Sequence, residues 1–320
     1  MRFVRSIRED LARRDFTVGA MAWHPERGLF DPFEGQNDLK NRILRAVGDP
    51  DTRFTEDALR ILRGVRFASE LGFAIEGNTA AAMRRQLGRL SCVAAERVRE
   101  ELTRLLCGRW AQRTLLKYND IIGAALPELV PMFGCTQDNP HHCYDVWGHT
   151  VRAVGQVPSE PCLRWAMLLH DSGKPACKTV DEQGVGHFRG HPKYSRALAG
   201  TLLPRLRFSK EDTERILLLV EQHDRPLGDS EKLVRRSLAR LGEARFRDLL
   251  MIKKGDAVGQ NTQPWDIGTL CATERMMNEV LRQNACLSLR QLAVNGHDMQ
   301  ALGLSGAAIG EMLRYLLDAV

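Results

Sequence analysis

Along most of this chain apolar residues recur every three or four positions, a spacing that predicts helices from about residue 38 onward. Before that point the pattern is different. Phe16-Thr17-Val18-Gly19-Ala20-Met21-Ala22-Trp23 and Leu29-Phe30-Asp31 alternate weakly around His24-Pro25-Glu26-Arg27-Gly28, which predicts two short strands about a turn. Thr55 reads as an N-cap, with Glu56 and Asp57 in the first turn and Ala58, Ile61, Leu62, Val65 and Ala68 on a buried face. That helix is expected to run to about Leu71. Asn78-Thr79 and Ser91 are read as two further starts, with Leu87, Leu90, Val93, Val98, Leu102, Leu105 and Leu106 supplying an apolar face. Pro127, Pro131, Pro140, the polar stretch 178–192 and Pro226-Leu227-Gly228 punctuate the rest. The expected fold is mainly α, with a partial α/β segment at 1–40, helical regions at 41–135 and 136–260, and a small helical tail at 261–320.

Length and composition narrow the class. The chain has 320 residues, 43% hydrophobic and 27% charged, which suits two or three globular domains and not a fibrous or disordered chain. No run approaches the roughly 18 apolar residues of a membrane span, and the first ten residues have no apolar signal core. A cytoplasmic protein with no membrane partner is expected. The eight cysteines form no C-x-x-C pair, so neither a disulfide framework nor a zinc ribbon is indicated. Charge is unevenly spread: residues 1–120 hold 22 basic side chains, 20 of them arginine, against 17 acidic ones. Arginine suits bidentate contact with phosphate and base edges, so a nucleotide or nucleic-acid partner is expected for that third.

Six of the nine histidines fall between residues 141 and 191. His149 lies in a helical stretch, and His170-Asp171 ends the apolar run Leu163–Leu169. His191 follows Gly190, His223-Asp224 ends a second apolar run, and Asp256 follows Lys253-Lys254-Gly255. Imidazole and carboxylate donors in such an order suit a divalent metal that polarises phosphate and activates water. The dipeptide alone says little, since His297-Asp298 is a third copy. The ordered set, with Gly173-Lys174-Pro175 after His170-Asp171, resembles the HD superfamily of metal-dependent phosphohydrolases over residues 141–260. That resemblance implies one divalent metal, of unspecified identity, on His149, His170, Asp171 and Asp256. His191 and His223 would complete a second site or grip phosphate. Ser172 replaces an aliphatic residue usual there, and His141, His142 and His187 are read as surface residues.

The predicted helix from Thr55 carries Asp57, Arg60, Arg63 and Arg66 at intervals of three. Such groups wind around a helix, so they cannot all share one flat solvated stripe. An Asp acceptor beside an Arg donor can complement the edge of a base; a surface ion pair is the competing reading. Three stretches, Arg13–Ala22, Asp31–Leu39 and Arg53–Phe67, resemble successive motifs of class II CCA-adding tRNA nucleotidyltransferases and bacterial poly(A) polymerases. Glu96-Arg97-Val98-Arg99-Glu100-Glu101-Leu102 looks like that family's next neck motif, and 292–310 resembles its tRNA-contacting tail. The resemblance implies a head at 1–40, a nucleotide- and tRNA-binding neck at 41–135, an HD domain and a tail. It further implies that Asp57 and Arg60 select CTP and then ATP, that Arg14, Arg63 and Arg66 contact the nucleotide, and that Mg²⁺ serves nucleotidyl transfer to tRNA.

Two substitutions depart from the family, Gly19 for a usual Asn and Glu34 for a frequent Gly. A larger departure concerns the head. Neither its Gly-Gly-x-x-x-Arg-Asp loop nor its catalytic Asp-x-Asp pair is found, so no catalytic residue is expected in the head. Asp49-Pro50-Asp51 lies after the Arg-Arg-Asp motif and is read as part of a turn. The chain is therefore expected not to polymerise alone, a separate chain or an upstream segment supplying the missing part, and residues 1–40 are expected to be poorly ordered. The other readings are an HD phosphohydrolase for cyclic phosphates or phosphomonoesters, a poly(A) polymerase and a tRNA-binding remnant.

Overall fold

The structure is a computed structural model that describes residues 6–138, 143–260, 265–283, 286–287 and 289–319. His141 and His142 lie outside the described residues. The architecture is mainly helical, as the periodicity predicts, and among the described residues the strands form three two-stranded sheets. Among the described residues no helix is long and apolar enough to cross a membrane.

The predicted hairpin is present as Ala22–His24 paired antiparallel with Gly28–Phe30. Thr17–Gly19, expected to extend the first strand, is instead a single 3₁₀ turn. Residues 6–40, expected to be poorly ordered without the rest of a head sheet, are anchored by other means. Phe16 is buried and meets Phe67 edge-on at 5.9 Å, and the Thr17 amide donates to the Arg45 carbonyl. Gly64 makes the docking possible, since a Cβ there would stand 3.0 Å from the Phe16 ring and 2.2 Å from Met83 Cε.

The helix expected from Thr55 is two helices, Pro50–Glu56 and Leu59–Leu71. Asp49 caps the first by accepting from the Thr52 amide at 2.9 Å, and Pro50 occupies its opening turn, where a missing N–H costs nothing. Asp49-Pro50-Asp51 is thus a helix start, with Asp51 bound to Arg85, and offers no free pair of carboxylates for metals. The chain extends at Asp57 (φ −150°), whose Oδ1 accepts from the Leu59 amide at 3.1 Å and holds the break. The second helix ends at Gly72, in the left-handed region at φ 72°. Of the other two predicted starts, Glu76 and not Asn78-Thr79 caps Gly77–Arg85, and Ser91 sits in a 3₁₀ segment before the helix Ala95–Cys107.

The apolar cluster runs without interruption from Phe16 to Val280. Trp165 is fully buried at the junction of the second and third regions, its indole N–H donating to Thr103 Oγ1 at 2.9 Å. The third region is built from Val146–Gln156, Pro161–Leu169, His191–Arg205, Lys210–Gln222 and Glu243–Gln260. Gly255 and Gly259 lie one turn apart against Val146–Gln156. A Cβ on Gly259 would stand 2.8 Å from Ala153 Cβ, so these two helices touch almost backbone to backbone. In the tail, His297-Asp298 opens the helix Gly296–Ala301. Asp298 closes a capping box with Asn295, which accounts for this dipeptide without a metal.

Candidate functional site

Six side chains converge at the ends of the third region's helices. His149 comes from the first half of Val146–Gln156, His170 and His223 are the C-cap residues just after Pro161–Leu169 and Lys210–Gln222, and His191 starts another helix. Asp256 reaches them because Gly255 and Gly259 let its helix lie close. His149 Nε2 is 2.9 Å from Asp256 Oδ1 and 3.4 Å from Asp171 Oδ2; His191 Nε2 is 3.2 Å from Asp171 Oδ1. The described residues offer two triads of donor atoms suited to a metal, His149-His170-Asp171 and Asp171-His191-His223, with Asp171 common to both. The structure thus brings together all six residues that the sequence singles out.

The hydrogen bonds behind the rings give this pocket its chemistry. Nδ1 of His170, His191 and His223 lies 2.7, 3.0 and 2.7 Å from the carbonyls of Met167, Phe188 and Val220. A carbonyl can only accept, so each Nδ1 carries the proton, and in the neutral ring the Nε2 lone pair points into the pocket. His191 Nε2 and His223 Nε2 then face each other at 3.1 Å, and His149 Nε2 and His170 Nε2 at 3.3 Å. Two ring nitrogens at that distance repel unless a cation or a proton lies between them, and without a metal the protons that His149 and His170 direct at Asp256 fill that role. This donor set fits divalent metal, with backbone carbonyls orienting the ligands from behind.

The same crowding sets the electrostatics. Burial disfavours charge on His170, but Asp171 and Asp256 outweigh it and push its pKa up to about 10. Burial also opposes ionisation of Asp171, and His170 and Lys174 override it, holding the carboxyl well below its ordinary value. Asp256 is held low against burial by hydrogen bonds from His149 and His170. His223 is pushed down to about 4 by burial and by His170. Above the cluster opens a cavity of about 320 Å³ whose wall includes Lys174, His187, Arg189, His191 and His223.

Two functional candidates in that wall are additions to the sequence reading. Lys174 Nζ is 2.8 Å from Asp171 Oδ2 and donates to Gln137 Oε1, a placement foreshadowed by its position one turn after Asp171. Arg189 sits in the polar loop, where no pattern marks it. His187, read as a surface residue, is partly exposed and bound to Asp181 at 2.7 Å, yet it too borders the cavity. Ser172, the departure from an aliphatic residue, is buried with its hydroxyl donating to the Leu169 carbonyl at 2.8 Å. Gly173 is required by space: a Cβ would stand 2.3 Å from the Ser195 amide nitrogen.

The arginine helix is organised differently. Arg60 is 2.9 Å from Asp15 Oδ1 and 2.7 Å from Glu56 Oε2, and it donates to the carbonyls of Arg53 and Arg13. Arg63 also binds Asp15. Arg66 is 2% exposed and bound to Glu101 and Glu70, beneath the face that carries Arg63. Asp57 does not pair with Arg60; its Oδ2 accepts from Arg97 at 2.8 Å. A cleft of about 480 Å³ is lined by Arg14, Gly19, Arg63, Phe67 and Leu71 among others, while Asp57 and Arg60 lie outside its wall and Arg66 is sealed below it. Gly19, in place of a usual Asn, leaves open space where a side chain would stand. Asp15 and Glu101 are the residues that pattern reading misses, because nothing in their local spacing shows that they meet an arginine 35 to 48 positions away. Glu34 adopts a left-handed backbone at φ 60°, the conformation that glycine takes without strain.

Comparisons with known proteins agree with this arrangement. Residues 1–45 match the family described as "Poly A polymerase head domain", residues 72–131 "Probable RNA and SrmB- binding site of polymerase A", and residues 141–254 "HD domain". The chain is 35% identical to an A-adding tRNA nucleotidyltransferase of Deinococcus radiodurans, covering 98% of this chain and 75% of that protein. It is 34% identical to a CC-adding tRNA nucleotidyltransferase of Thermus thermophilus, covering 98% and 73%. A solved structure of the Bacillus stearothermophilus CCA-adding enzyme in complex with CTP superimposes with a TM-score of 0.67 at 25% identity, over 99% of this chain and 70% of that one.

Proposed function

The chain belongs to the family of CCA-adding tRNA nucleotidyltransferases and bacterial poly(A) polymerases, in a form with an HD domain, and on that premise we propose that it forms the nucleotide-selecting part of a site that extends the 3′ end of tRNA from CTP and ATP. The supporting observation is the break at Asp57. The carboxylate stands at the start of the helix Leu59–Leu71, and its pair with Arg97 is a solvent-exposed one of the kind that contributes under about 1 kcal/mol and exchanges readily. Asp57 and Arg60 read the base; Arg14 and Arg63 face the cleft for ribose and phosphates. Arg66, held by Glu101 and Glu70, positions the helix from beneath.

In this family reaction the tRNA 3′ hydroxyl attacks the nucleotide α-phosphate and pyrophosphate leaves. Transfer in this family uses Mg²⁺ held by an Asp-x-Asp pair; residues 1–40 contain no such pair, and in Asp49-Pro50-Asp51 the first carboxylate is engaged by Thr52 and the second by Arg85. No transfer step is assigned to this chain alone, and a separate chain or segment with those carboxylates would complete it. An A-adding and a CC-adding tRNA nucleotidyltransferase are both among the relatives, and the nucleotide that this chain prefers is read from its binding of CTP and ATP. Calorimetry of CTP and ATP binding, with Asp57→Ala beside the parent chain, tests the reading. A preference between the two nucleotides that Asp57→Ala relaxes supports it, and unchanged preference or no binding sinks it.

A second activity is favoured by the opposed imidazole nitrogens of the metal pocket. Metal bound there would polarise a phosphoryl oxygen and supply a hydroxide nucleophile. Asp171 joins the two triads, Lys174 fixes Asp171, and Arg189 with His187 lines the mouth where a phosphate enters. The substrate class is a cyclic phosphate or phosphomonoester. Hydrolysis of a 2′,3′-cyclic nucleotide with Mg²⁺, Mn²⁺ or Ni²⁺ that disappears in Asp171→Ala is expected; no hydrolysis with any of the three would exclude it.

A further inference from the structure

A hairpin stands at the mouth of the metal pocket, Thr179–Val180 paired antiparallel with Gly186–His187. Its turn is organised around Asp181, which accepts from the amides of Gln183 at 3.0 Å and Val185 at 2.9 Å and meets His187 Nε2 at 2.7 Å. The His187 hydrogen bond, with those amides, holds the Asp181 carboxyl below its ordinary value, so it stays ionised. A carboxylate can only accept, which puts a proton on Nε2 and leaves Nδ1 as the remaining nitrogen of the ring. Among the described residues Nδ1 has no hydrogen-bond partner.

The hairpin is pinned to the pocket. Gly186 is buried, and its amide donates to the Asp138 carbonyl at 2.8 Å. A Cβ there would stand 2.2 Å from the Gln137 carbonyl oxygen, so only glycine lets the strand lie this close. Gln137, buried, accepts in turn from Lys174, whose Nζ is 2.8 Å from Asp171. An unbroken chain of contacts thus runs from the carboxylate shared by both donor triads to the backbone beside His187. The His187 side chain borders the same cavity as His191, His223 and Asp256 and remains 37% exposed. An ion pair that only staples a surface turn needs no such mooring, whereas a group that must meet a substrate held over the donors does.

We infer that His187 is the general acid that protonates the departing oxygen when a phosphate ester is hydrolysed in this pocket, with Asp181 as its positioning residue. This role rests on the phosphohydrolase reading of the pocket and narrows its substrates to esters with poor leaving groups, such as the ribose oxygens of a 2′,3′-cyclic nucleotide. A ribose alkoxide is strongly basic and leaves slowly without a proton, and a positioned acid speeds such a step by roughly 10²–10⁴-fold. The oxygen of water bonds to phosphorus as one ribose P–O bond breaks. The leaving oxygen keeps that bonding pair and takes the Nδ1 proton, and the proton shed by the water restores the imidazolium. Asp181 favours the charged ring against the cations Lys174 and Arg189 on the same wall.

The test compares esters that differ in their need for a proton. For the full chain with Mn²⁺, the ratio of kcat/KM for 2′,3′-cyclic AMP to that for bis(para-nitrophenyl) phosphate should fall by roughly 100-fold in His187→Gln, because para-nitrophenolate leaves unprotonated. Asp181→Asn should lower the same ratio by a smaller factor. Mn²⁺ affinity measured by calorimetry should stay at the parent value in both variants, which separates the role from metal binding. In the parent chain with Mg²⁺, the histidine ring NMR signal that His187→Gln removes should move when inorganic phosphate is added. An unchanged ratio in His187→Gln, or a His187 signal that phosphate leaves in place, overturns the assignment while hydrolysis by the parent stands. If the parent hydrolyses neither ester with Mg²⁺, Mn²⁺ or Ni²⁺, the phosphohydrolase reading falls and this role falls with it.

Discussion

The metal pocket and the arginine helix are both dense in charged side chains, yet they satisfy those charges in opposite ways. In the pocket Nε2 faces Nε2 twice around two carboxylates, Asp171 buried with the rings and Asp256 partly exposed. Around the arginine helix each donor meets an acceptor, Arg60 and Arg63 on Asp15, Arg66 on Glu101 and Glu70, Asp57 on Arg97. A site whose groups repel one another calls for a cation to complete it, whereas a site whose groups are already paired binds a ligand by exchanging partners. The first suits a cation held by several donors at once, and the second a ligand that displaces an internal ion pair.

The strongest way to break this contrast is at Arg66. If its pairs are structural, Arg66→Ala leaves Glu101 buried without its main partner and costs roughly 3–5 kcal/mol, read as a lowered denaturant midpoint. A small loss would mean that Arg66 is a ligand contact after all. In the pocket, Asp171→Ala removes the residue that both triads share. It should weaken Mn²⁺ binding by more than roughly 100-fold, beyond the range seen for residues that only orient ligands. Calorimetry showing near-parent Mn²⁺ affinity would refute the shared role.

Smaller effects sharpen the picture. Gly259→Val forces Ala153 away from its helix and should cost roughly 1–3 kcal/mol in thermal unfolding, with Mn²⁺ affinity falling alongside because Asp256 moves off His149. Stability lost without a change in metal affinity would separate the helix contact from the pocket. Glu34→Gly should stabilise the fold by about 0.5–1 kcal/mol, because a side chain is relieved of a left-handed backbone. Asp57→Ala should change unfolding by less than about 1 kcal/mol while altering nucleotide preference, the mark of a residue that serves ligand and not fold.

The two regions also differ in how far they can be read from the chain. All six pocket residues are legible through the order that resembles the HD superfamily, and His170, Asp171, His191 and His223 also lie at or just beyond helix ends. The arginine helix is legible as a set of positions but not as a set of partners. Its expected N-cap at Thr55 gives way to a break at Asp57, since Asp49 and Pro50 open an earlier helix whose capping outcompetes a continuous run. Asp15 lies 45 residues before Arg60, and no periodicity links them. Lys174 is visible one turn after Asp171, whereas Arg189 enters the cavity wall from an irregular loop with no pattern at all.

The amino-acid sequence by itself determined the helical class, which depends on spacing along the backbone, and the motif order, whose resemblance to known families implied the six donors of the pocket. Tertiary structure alone decided which charges are neutralised and which are free. Whether an arginine is neutralised depends on a carboxylate brought to within a few ångströms by packing, and Coulomb attraction at that range outweighs sequence distance entirely. Hence Arg60, Arg63 and Arg66, conspicuous in the chain, are held by the protein's own acids, while Arg109, Arg113 and Lys117, inconspicuous in it, stand exposed with their charge unanswered.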